Sequence, residues 1–256
     1  MQDQNVALNR FMEELRHHLG GWKEKVETDF AKENFDKEIA GLSTDPVYAK
    51  FHLNTPDYVF IRLMGRMSVS IGRRLGEIYD KIPRFAAQGR YNLERNQVVT
   101  KLDGLEIDIQ LLFSDLLPDD KDYLTKIILK HLKVDHSKYT GLGIEIRYNF
   151  NPNDSSRLRK DKHLAELLIA EGLYPVYLVF ADNSPRLADA VTSLERAGWN
   201  FLIATPALDF MAEVVGFDIS VVLDKESVSA EIKKETESFM KSIWSSYAAS
   251  QLTSKS

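Results

Sequence analysis

The sequence contains no cysteine. Disulfide bonds, zinc–thiolate sites and thiol catalysis are therefore excluded, which suits a protein of a reducing compartment. It also lacks a run of about 18 consecutive apolar residues, the length that a helix needs to cross a bilayer. The longest apolar run lies at residues 174–180 and contains a proline. The first residues show no basic segment followed by an apolar one, so we expect no secretory signal and predict a cytoplasmic protein that has no membrane partner.

The composition is that of an ordinary globular chain. Of 256 residues, 44% are hydrophobic and 28% are charged, which is enough apolar surface to offset the entropy lost on folding. The net charge of −5 excludes a protein that is basic over its whole surface, but it permits a local basic face. Pattern changes along the chain predict a helical N-terminal region at 1–56, an α/β core at 57–224, and a C-terminal helix and tail at 225–256.

Helical periodicity dominates the first third of the chain. A long amphipathic helix is predicted over residues 57–82, and Pro83 is expected to end it because proline cannot continue the hydrogen-bond ladder. The polar stripe of this helix carries Arg62, Arg66, Arg73 and, at its edge, Glu77.

The hydrophobic period changes to two after residue 96. Residues 97–102 and 105–111 flank Asp103-Gly104, which is a strong signal for a two-residue hairpin. Residues 141–148 alternate as a strand. A helix is predicted at 157–171, a buried strand at 173–181, a helix at 185–197 and a second buried strand at 199–204. This strand–helix–strand order predicts that the two buried strands are parallel and joined by a right-handed crossover. Further helices are predicted at 119–132 and 225–247, with a polar tail at 250–256.

Three acidic residues stand out because of the elements that carry them. Glu145 and Arg147 are two residues apart in a predicted strand, so their side chains share one face. Asp108 lies on the polar face of the hairpin, and Glu77 lies on the preceding helix. Carboxylates from adjoining strands can converge on Mg²⁺, which takes a few carboxylate oxygens, retains waters and binds substrate phosphate. Taken singly, each residue is more often part of a cross-strand ion pair or of a solvated face.

The order of these elements resembles the PD-(D/E)xK nuclease superfamily, which includes many type II restriction endonucleases. In that superfamily a helix with a glutamate precedes a hairpin whose second strand carries a metal-binding aspartate. The next strand carries Glu-x-Lys and is followed by a helix and two strands. The matching stretches are SVSIGRRLGE at 68–77, DGLEIDI at 103–109 and GIEIRYN at 143–149. The chain is most similar to the ApaLI-like restriction enzymes. The resemblance implies an α/β fold of the restriction-endonuclease-like type, with a mixed β-sheet core flanked by helices and a helical N-terminal region.

The resemblance also implies a Mg²⁺ site. Asp108 and Glu145 would bind the ion together with the carbonyl of Ile146. Glu77 would bind it through water or support a second ion. Arg147 would stabilise the charge that develops on the phosphorane.

Three features depart from the superfamily pattern. Ile107 stands where proline is usual, a long insertion separates the two metal-binding acids, and Arg147 replaces lysine. Because arginine stays charged, it can orient or stabilise but cannot act as a base, and the attacking water would be activated by the metal or by a phosphate. The alternatives left open are Lys160 or Lys162 for the lysine and, for the first acid, Asp103, which turn geometry explains better.

Basic residues are concentrated beside these motifs. Residues 62–101 hold nine Lys and Arg against three Asp and Glu, and such local arrays bind a phosphate polymer. A solvated helix face is the other explanation of such a stripe. The residues predicted to contact DNA are Arg62, Arg66, Arg73, Asn149, Arg157, Arg159, Lys160 and Lys162.

We therefore predict a type II restriction endonuclease, an enzyme that uses Mg²⁺ to hydrolyse phosphodiester bonds at a short site in double-stranded DNA. A palindromic site calls for a homodimer. A repair or recombination nuclease of the same fold and a non-catalytic DNA-binding protein stay open as alternatives.

Overall fold

The computed structural model describes residues 2–149, 155–182 and 187–253. In this part of the chain the protein is mixed α/β. The helices are α1 (Gln2–Asp29), α2 (Lys32–Thr44), α3 (Pro46–Lys50), α4 (Pro56–Tyr91), α5 (Arg95–Val98), α6 (Pro118–Leu132), α7 (Ser155–Ala170), α8 (Leu187–Glu195), α9 (Thr205–Val215), α10 (Ile219–Leu223), α11 (Glu226–Trp244) and α12 (Tyr247–Thr253). The strands are β1 (Thr100–Leu102), β2 (Leu105–Ile107), β3 (Ile109–Leu112), β4 (Gly141–Arg147), β5 (Leu173–Val179) and β6 (Asn200–Ile203). None of the described helices combines the length and the apolar character needed to span a membrane.

The chain forms two compact units. One comprises Met1–Phe11 and Gly76–Val222 and is called the sheet unit below; the other comprises Met12–Leu75 and Leu223–Ser256 and is called the helical unit. This division differs from the one expected from the sequence, because residues 57–75 group with the N-terminal helices and the C-terminal helices. Helix α4 contributes residues to both units.

Aromatic side chains from distant parts of the sequence hold the helical unit together. The ring of Trp22 in α1 lies 5.9 Å from that of Phe239 in α11. Phe60 of α4 packs against Phe30 and Trp244, each at 5.9 Å between ring centres. Contacts of this kind add to the free energy of simple area burial. They explain why the first half of α4 joins these helices.

The predicted polar tail is wrong for its first residues. Residues 250–253 belong to helix α12 (Tyr247–Thr253), and Ala248 and Ala249 at the start of that helix are buried. The ring of Tyr247 also packs edge-on against that of Phe35 in α2. Small and aromatic side chains along one helical face allow this segment to pack against α2, although its composition alone predicts a polar tail. Residues 254–256 lie outside the described part.

The predicted end of the long helix at Ile82 is also wrong. Helix α4 continues through Pro83 to Tyr91. Proline removes one backbone hydrogen bond, yet Ile82, Pro83, Ala86 and Ala87 are all buried. Burial of this face stabilises the helix by more than the missing bond costs, since most helical stability in proteins comes from packing of one face.

A four-stranded sheet with the order β3-β4-β5-β6 forms the centre of the sheet unit. Strand β3 is antiparallel to β4, while β4, β5 and β6 are parallel. The predicted strands at 141–148, 173–181 and 199–204 are therefore confirmed, as are the parallel arrangement of the last two and the helices at 119–132 and 157–171. The first residues of the predicted helix at 185–197 lie outside the described part. Helices α7 and α8 cover one face of this sheet, around the buried side chains of Tyr177, Leu168 and Trp199.

The hairpin forms as predicted, but its second strand is shorter. Leu102 pairs with Leu105 across a two-residue turn, in which Asp103 and Gly104 have φ values of 47° and 75°. Positive φ at both positions is typical of a type I′ turn, which glycine and aspartate tolerate well. The predicted strand at 105–111 is interrupted at Asp108. Strand β2 pairs with β1, whereas β3 pairs with β4.

Candidate active site

The alternation of β4 places three functional positions on the face covered by α7. Gly143, Glu145 and Arg147 are spaced by two residues, so they point to the same side of the sheet. The glycine is needed because the end of the Leu168 side chain lies 2.3 Å from where a Cβ at Gly143 would stand. Helix α7 therefore packs closely against β4 just before Glu145, and it covers that carboxylate, which is only 4% exposed.

Asp108 lies beside Glu145 because it immediately precedes β3. Ile109 pairs with Ile144 across the antiparallel strands, so the next residues outward on each strand are neighbours. The carboxylate of Asp108 is 5% exposed, and its Oδ2 accepts a hydrogen bond from the backbone N–H of Ile146 at 2.7 Å. The Asp108 carboxylate thus takes the place of a backbone carbonyl as the acceptor for this N–H, at the point where the chain passes from β2, which pairs with β1, to β3, which pairs with β4. The structure thus brings together the two acids that the sequence analysis selected.

Helix α4 supplies two residues that the sequence analysis missed. Arg84 forms ion pairs with Asp108 and, at 2.7 Å, with Asp80. It also donates to Glu106 Oε1 at 2.7 Å. Asp80 and Arg84 follow Glu77 by three and seven residues, so they share its side of the helix. Asp80 lies within the predicted helix, and continuing that helix beyond Pro83 would have added Arg84 to the same side.

Arg147 lies at the centre of the acidic groups. Its Nη2 forms an ion pair with Glu145 Oε1 and lies 3.7 Å from Asp161 Oδ1. Its Nη1 donates to the carbonyl oxygen of Ile146 at 2.8 Å and lies 3.5 Å from Asp108 Oδ2. One guanidinium therefore contacts both of the predicted metal-binding carboxylates and the predicted carbonyl ligand.

Asp161 of α7 is a further buried acid that the sequence analysis did not select. Tyr177 donates its hydroxyl hydrogen to Asp161 Oδ2 at 2.8 Å, and the indole N–H of Trp199 donates to the backbone carbonyl of Asp161 at 2.7 Å. Tyr177 pairs with Glu145 across β4 and β5. In the sequence, Asp161 stands within a basic run and shows no sign of burial.

Burial and mutual repulsion shift the ionisation of this cluster. Burial, followed by the charge of Asp108, raises the pKa of Glu145 well above its usual range, and Arg147 opposes this. Burial and then the charge of Asp108 also raise the pKa of Asp80 to about 6. The pKa of Asp161 is raised by burial as well. Arg84 opposes the shift at Asp80, and Arg147 opposes the shifts at Glu145 and Asp161, and a bound cation would favour the ionised carboxylates in the same way.

A cleft of about 330 Å³ opens next to the acids. Glu145, Arg147 and Asp161 line it together with Arg157 and Lys160, two of the predicted DNA-contacting residues. Arg157 and Lys160 lie one helical turn apart near the start of α7. The cleft therefore joins carboxylates that suit a metal ion to cations that suit a phosphate.

The remaining predicted residues do not line this cleft. Arg159 and Lys162 lie on another side of α7. Asn149 is exposed beyond the end of β4, and residues 150–154 after it lie outside the described part. Glu77 is half-buried on α4. Three predicted DNA-contacting residues belong to the helical unit: Arg62, Arg66 and Arg73.

Two of these arginines have acidic partners within the helical unit. Arg66 donates to Glu38 Oε1 at 2.7 Å, and the Nε of Arg62 lies 3.7 Å from Glu38 Oε2. The guanidinium of Arg62 also lies over the ring of Tyr48. Part of the basic charge counted in the sequence is therefore balanced locally.

The residues present fit a Mg²⁺ ion that retains most of its waters. Among the described residues, no group of three or more His, Asp or Glu side chains is arranged to hold a metal. Mg²⁺, however, binds through one or two carboxylates plus waters and phosphate, and Asp108, Glu145 and the Ile146 carbonyl provide such a set. The Oε2 atom of Glu145 is buried and accepts no hydrogen bond from the described residues, which leaves it available to a cation.

Comparison of the chain with models of protein families, with curated proteins and with solved structures finds no match.

Proposed function

We propose that this protein is a Mg²⁺-dependent endonuclease that hydrolyses phosphodiester bonds in double-stranded DNA, acting as a type II restriction enzyme in the cytoplasm and as a homodimer. The observation that carries the proposal is that Arg147 contacts both Asp108 and Glu145, two buried carboxylates, and that Glu145 lines a cleft together with Arg157 and Lys160. Buried acids with raised pKa values in a cleft are typical of functional sites.

The topology supports the same proposal. A helix, a hairpin, a strand with Glu-x-Arg, a helix and two further strands follow one another in the sheet unit. That is the order on which the resemblance to the PD-(D/E)xK superfamily rests. Acids at the ends of neighbouring antiparallel strands lie within reach of one ion, which is the arrangement that the proposed chemistry needs.

Each residue has a role that its position allows. Asp108, Glu145 and the Ile146 carbonyl would hold Mg²⁺, which lowers the pKa of a bound water and neutralises charge on the phosphoryl group. Arg157 and Lys160 attract the DNA backbone and position a phosphate over the acids. Arg147 stays charged throughout and stabilises negative charge on that phosphate.

The test is a digest of unmethylated phage DNA with purified protein and Mg²⁺. We expect discrete bands from the wild type and none from Glu145→Gln or Asp108→Asn. Glu166→Gln is the matched control, because Glu166 is an exposed acid on the same helix α7 that covers Glu145; it should cut like the wild type. Cleavage that persists in Glu145→Gln refutes the site. Unspecific degradation, or cutting of damaged DNA alone, favours a repair or recombination nuclease.

A non-catalytic DNA-binding protein is the second candidate. It is favoured by the ion pairs that Arg84 and Arg147 make with Asp108 and Glu145, since acids neutralised in this way also serve as structural ion pairs. A wild type that retards DNA in a gel but never cuts it with Mg²⁺ or Mn²⁺ supports this candidate over the enzyme.

A further inference from the structure

The most unusual feature of the cluster is the position of the Arg147 guanidinium. It contacts Glu145 Oε1, lies 3.5 Å from Asp108 Oδ2 and donates to the Ile146 carbonyl at 2.8 Å. These are the three groups that would hold Mg²⁺. A guanidinium is a cation whose donors match carboxylate and carbonyl oxygens, so it satisfies in part the same negative charge that a metal would.

The Arg147 guanidinium does not satisfy all the oxygens of this cluster. Glu145 Oε2 is buried and receives no hydrogen bond from the described residues, and Asp161 Oδ1 is 3.7 Å from the guanidinium. Among the described residues, Asp80 and Asp108 form ion pairs with Arg84, and Glu145 forms one with Arg147. The guanidinium of Arg147 therefore leaves at least one oxygen of the site, Glu145 Oε2, without a donor from the described part of the chain even when it is turned inward.

We infer that Arg147 is an internal competitor of the metal, which occupies the ligand oxygens in the ion-free protein and turns outward into the cleft when a divalent cation binds. The inference deepens the proposed function and rests on it. A positive guanidinium and a divalent cation repel each other at these distances, and they need the same oxygens. The cleft lined by Arg157 and Lys160 provides space for the displaced side chain. In that position the guanidinium would face the phosphate and no longer the acids.

The consequence is that removing Arg147 strengthens metal binding although it removes a residue of the proposed site. We expect Arg147→Met to bind Ca²⁺ and Mg²⁺ at least roughly tenfold more tightly than the wild type in calorimetric titrations without DNA. We also expect these ions to raise the melting temperature of Arg147→Met more than that of the wild type, because they restore the missing positive charge.

Arg157→Met is the matched control. Arg157 lines the same cleft and its charge also acts on Glu145, so this variant removes one positive charge near the acids without vacating the ligand oxygens. Its metal affinity should change by less than about threefold. Adding Glu145→Gln to Arg147→Met should abolish the gain.

Arg147→Lys keeps a cation and covers the case in which the methionine variant does not fold. In an NMR spectrum of the arginine Nε–Hε groups, the signal that is present in the wild type and absent from Arg147→Lys belongs to Arg147. We expect Ca²⁺ to shift this signal in the wild type and to leave that of Arg159 unchanged.

Equal or weaker metal binding by Arg147→Met, or an Arg147 signal that does not move at saturating Ca²⁺, overturns the inference. If the wild type still cuts DNA with Mg²⁺ in that case, the proposed nuclease function stands and only the competition fails. If no variant binds a divalent ion and the wild type does not cut, both fail together.

Discussion

The ionisation of Asp80 offers a prediction whose size follows from the structure. Burial and the nearby charge of Asp108 raise the pKa of Asp80 from its ordinary 3.8 to about 6, against the opposing charge of Arg84. The folded protein holds this proton more tightly than the unfolded chain does. The stability that Asp80 contributes is therefore fully present below about pH 4 and is lost as the pH rises through about 6. At neutral pH the ionised side chain destabilises the fold.

The change to make is Asp80→Asn, which keeps the shape and removes the charge. A pKa difference of this size corresponds to about 3 kcal/mol for a fully buried group. Because 37% of the Asp80 side chain is exposed, solvent screening reduces the effect, and we expect a gain of about 1 kcal/mol at pH 7.5. The gain should nearly vanish at pH 4, where the wild-type side chain is already neutral in the folded protein.

Urea denaturation followed by tryptophan fluorescence at pH 4 and pH 7.5 measures both values. Asp209→Asn is the control, because Asp209 is an exposed acid on α9 of the same unit; its stability should change little at either pH. If Asp80→Asn is less stable than the wild type at pH 7.5, or is stabilised equally at both pH values, then the charge balance described for the cluster is wrong.

Three further predictions concern the site and its support. Glu145→Gln should be at least as stable as the wild type in the absence of divalent ions, because burial raises the pKa of Glu145 and favours a neutral side chain; thermal unfolding in chelator checks this, and a large loss of stability contradicts it. Gly143→Ala should cost about 1–3 kcal/mol, since its Cβ would stand 2.3 Å from Leu168. Adding Leu168→Ala should cost less in that background than in the wild type, and strictly additive costs would refute the contact. Neutralising Arg157 and Lys160 together should weaken DNA binding and reduce the slope of log affinity against log salt by about 2; an unchanged slope would show that they do not contact phosphates.

Much of the sheet could be predicted because its hydrophobic patterns are unambiguous. Strand β4 alternates, and β5 is a continuous apolar run between helices, so the parallel order followed from sequence alone. The Asp103-Gly104 turn was equally clear, because few residue pairs tolerate positive φ at both positions.

The rest of the site depends on tertiary burial, which local patterns do not reveal. Pro83 signals a helix end, yet packing of Ile82 and Ala86 carries α4 beyond it, and with it Arg84. Asp108 was expected on a polar strand face but is buried. Its carboxylate accepts a hydrogen bond from the backbone of β4 and forms an ion pair with Arg84, and these contacts make its burial possible. Asp161 stands in a basic run, and only the packing of α7 against the sheet shows that it belongs to the cluster.

The central claim is that Asp108 and Glu145 hold one divalent ion between them. Crystals soaked in Mn²⁺ and measured at an X-ray energy at which manganese scatters anomalously test it most directly. We expect a single strong anomalous peak at about 2.0–2.3 Å from an oxygen of each carboxylate, with the Arg147 guanidinium turned away from it. Well-diffracting soaked crystals whose anomalous map is empty between these two side chains, or shows manganese only elsewhere on the protein, would contradict the account.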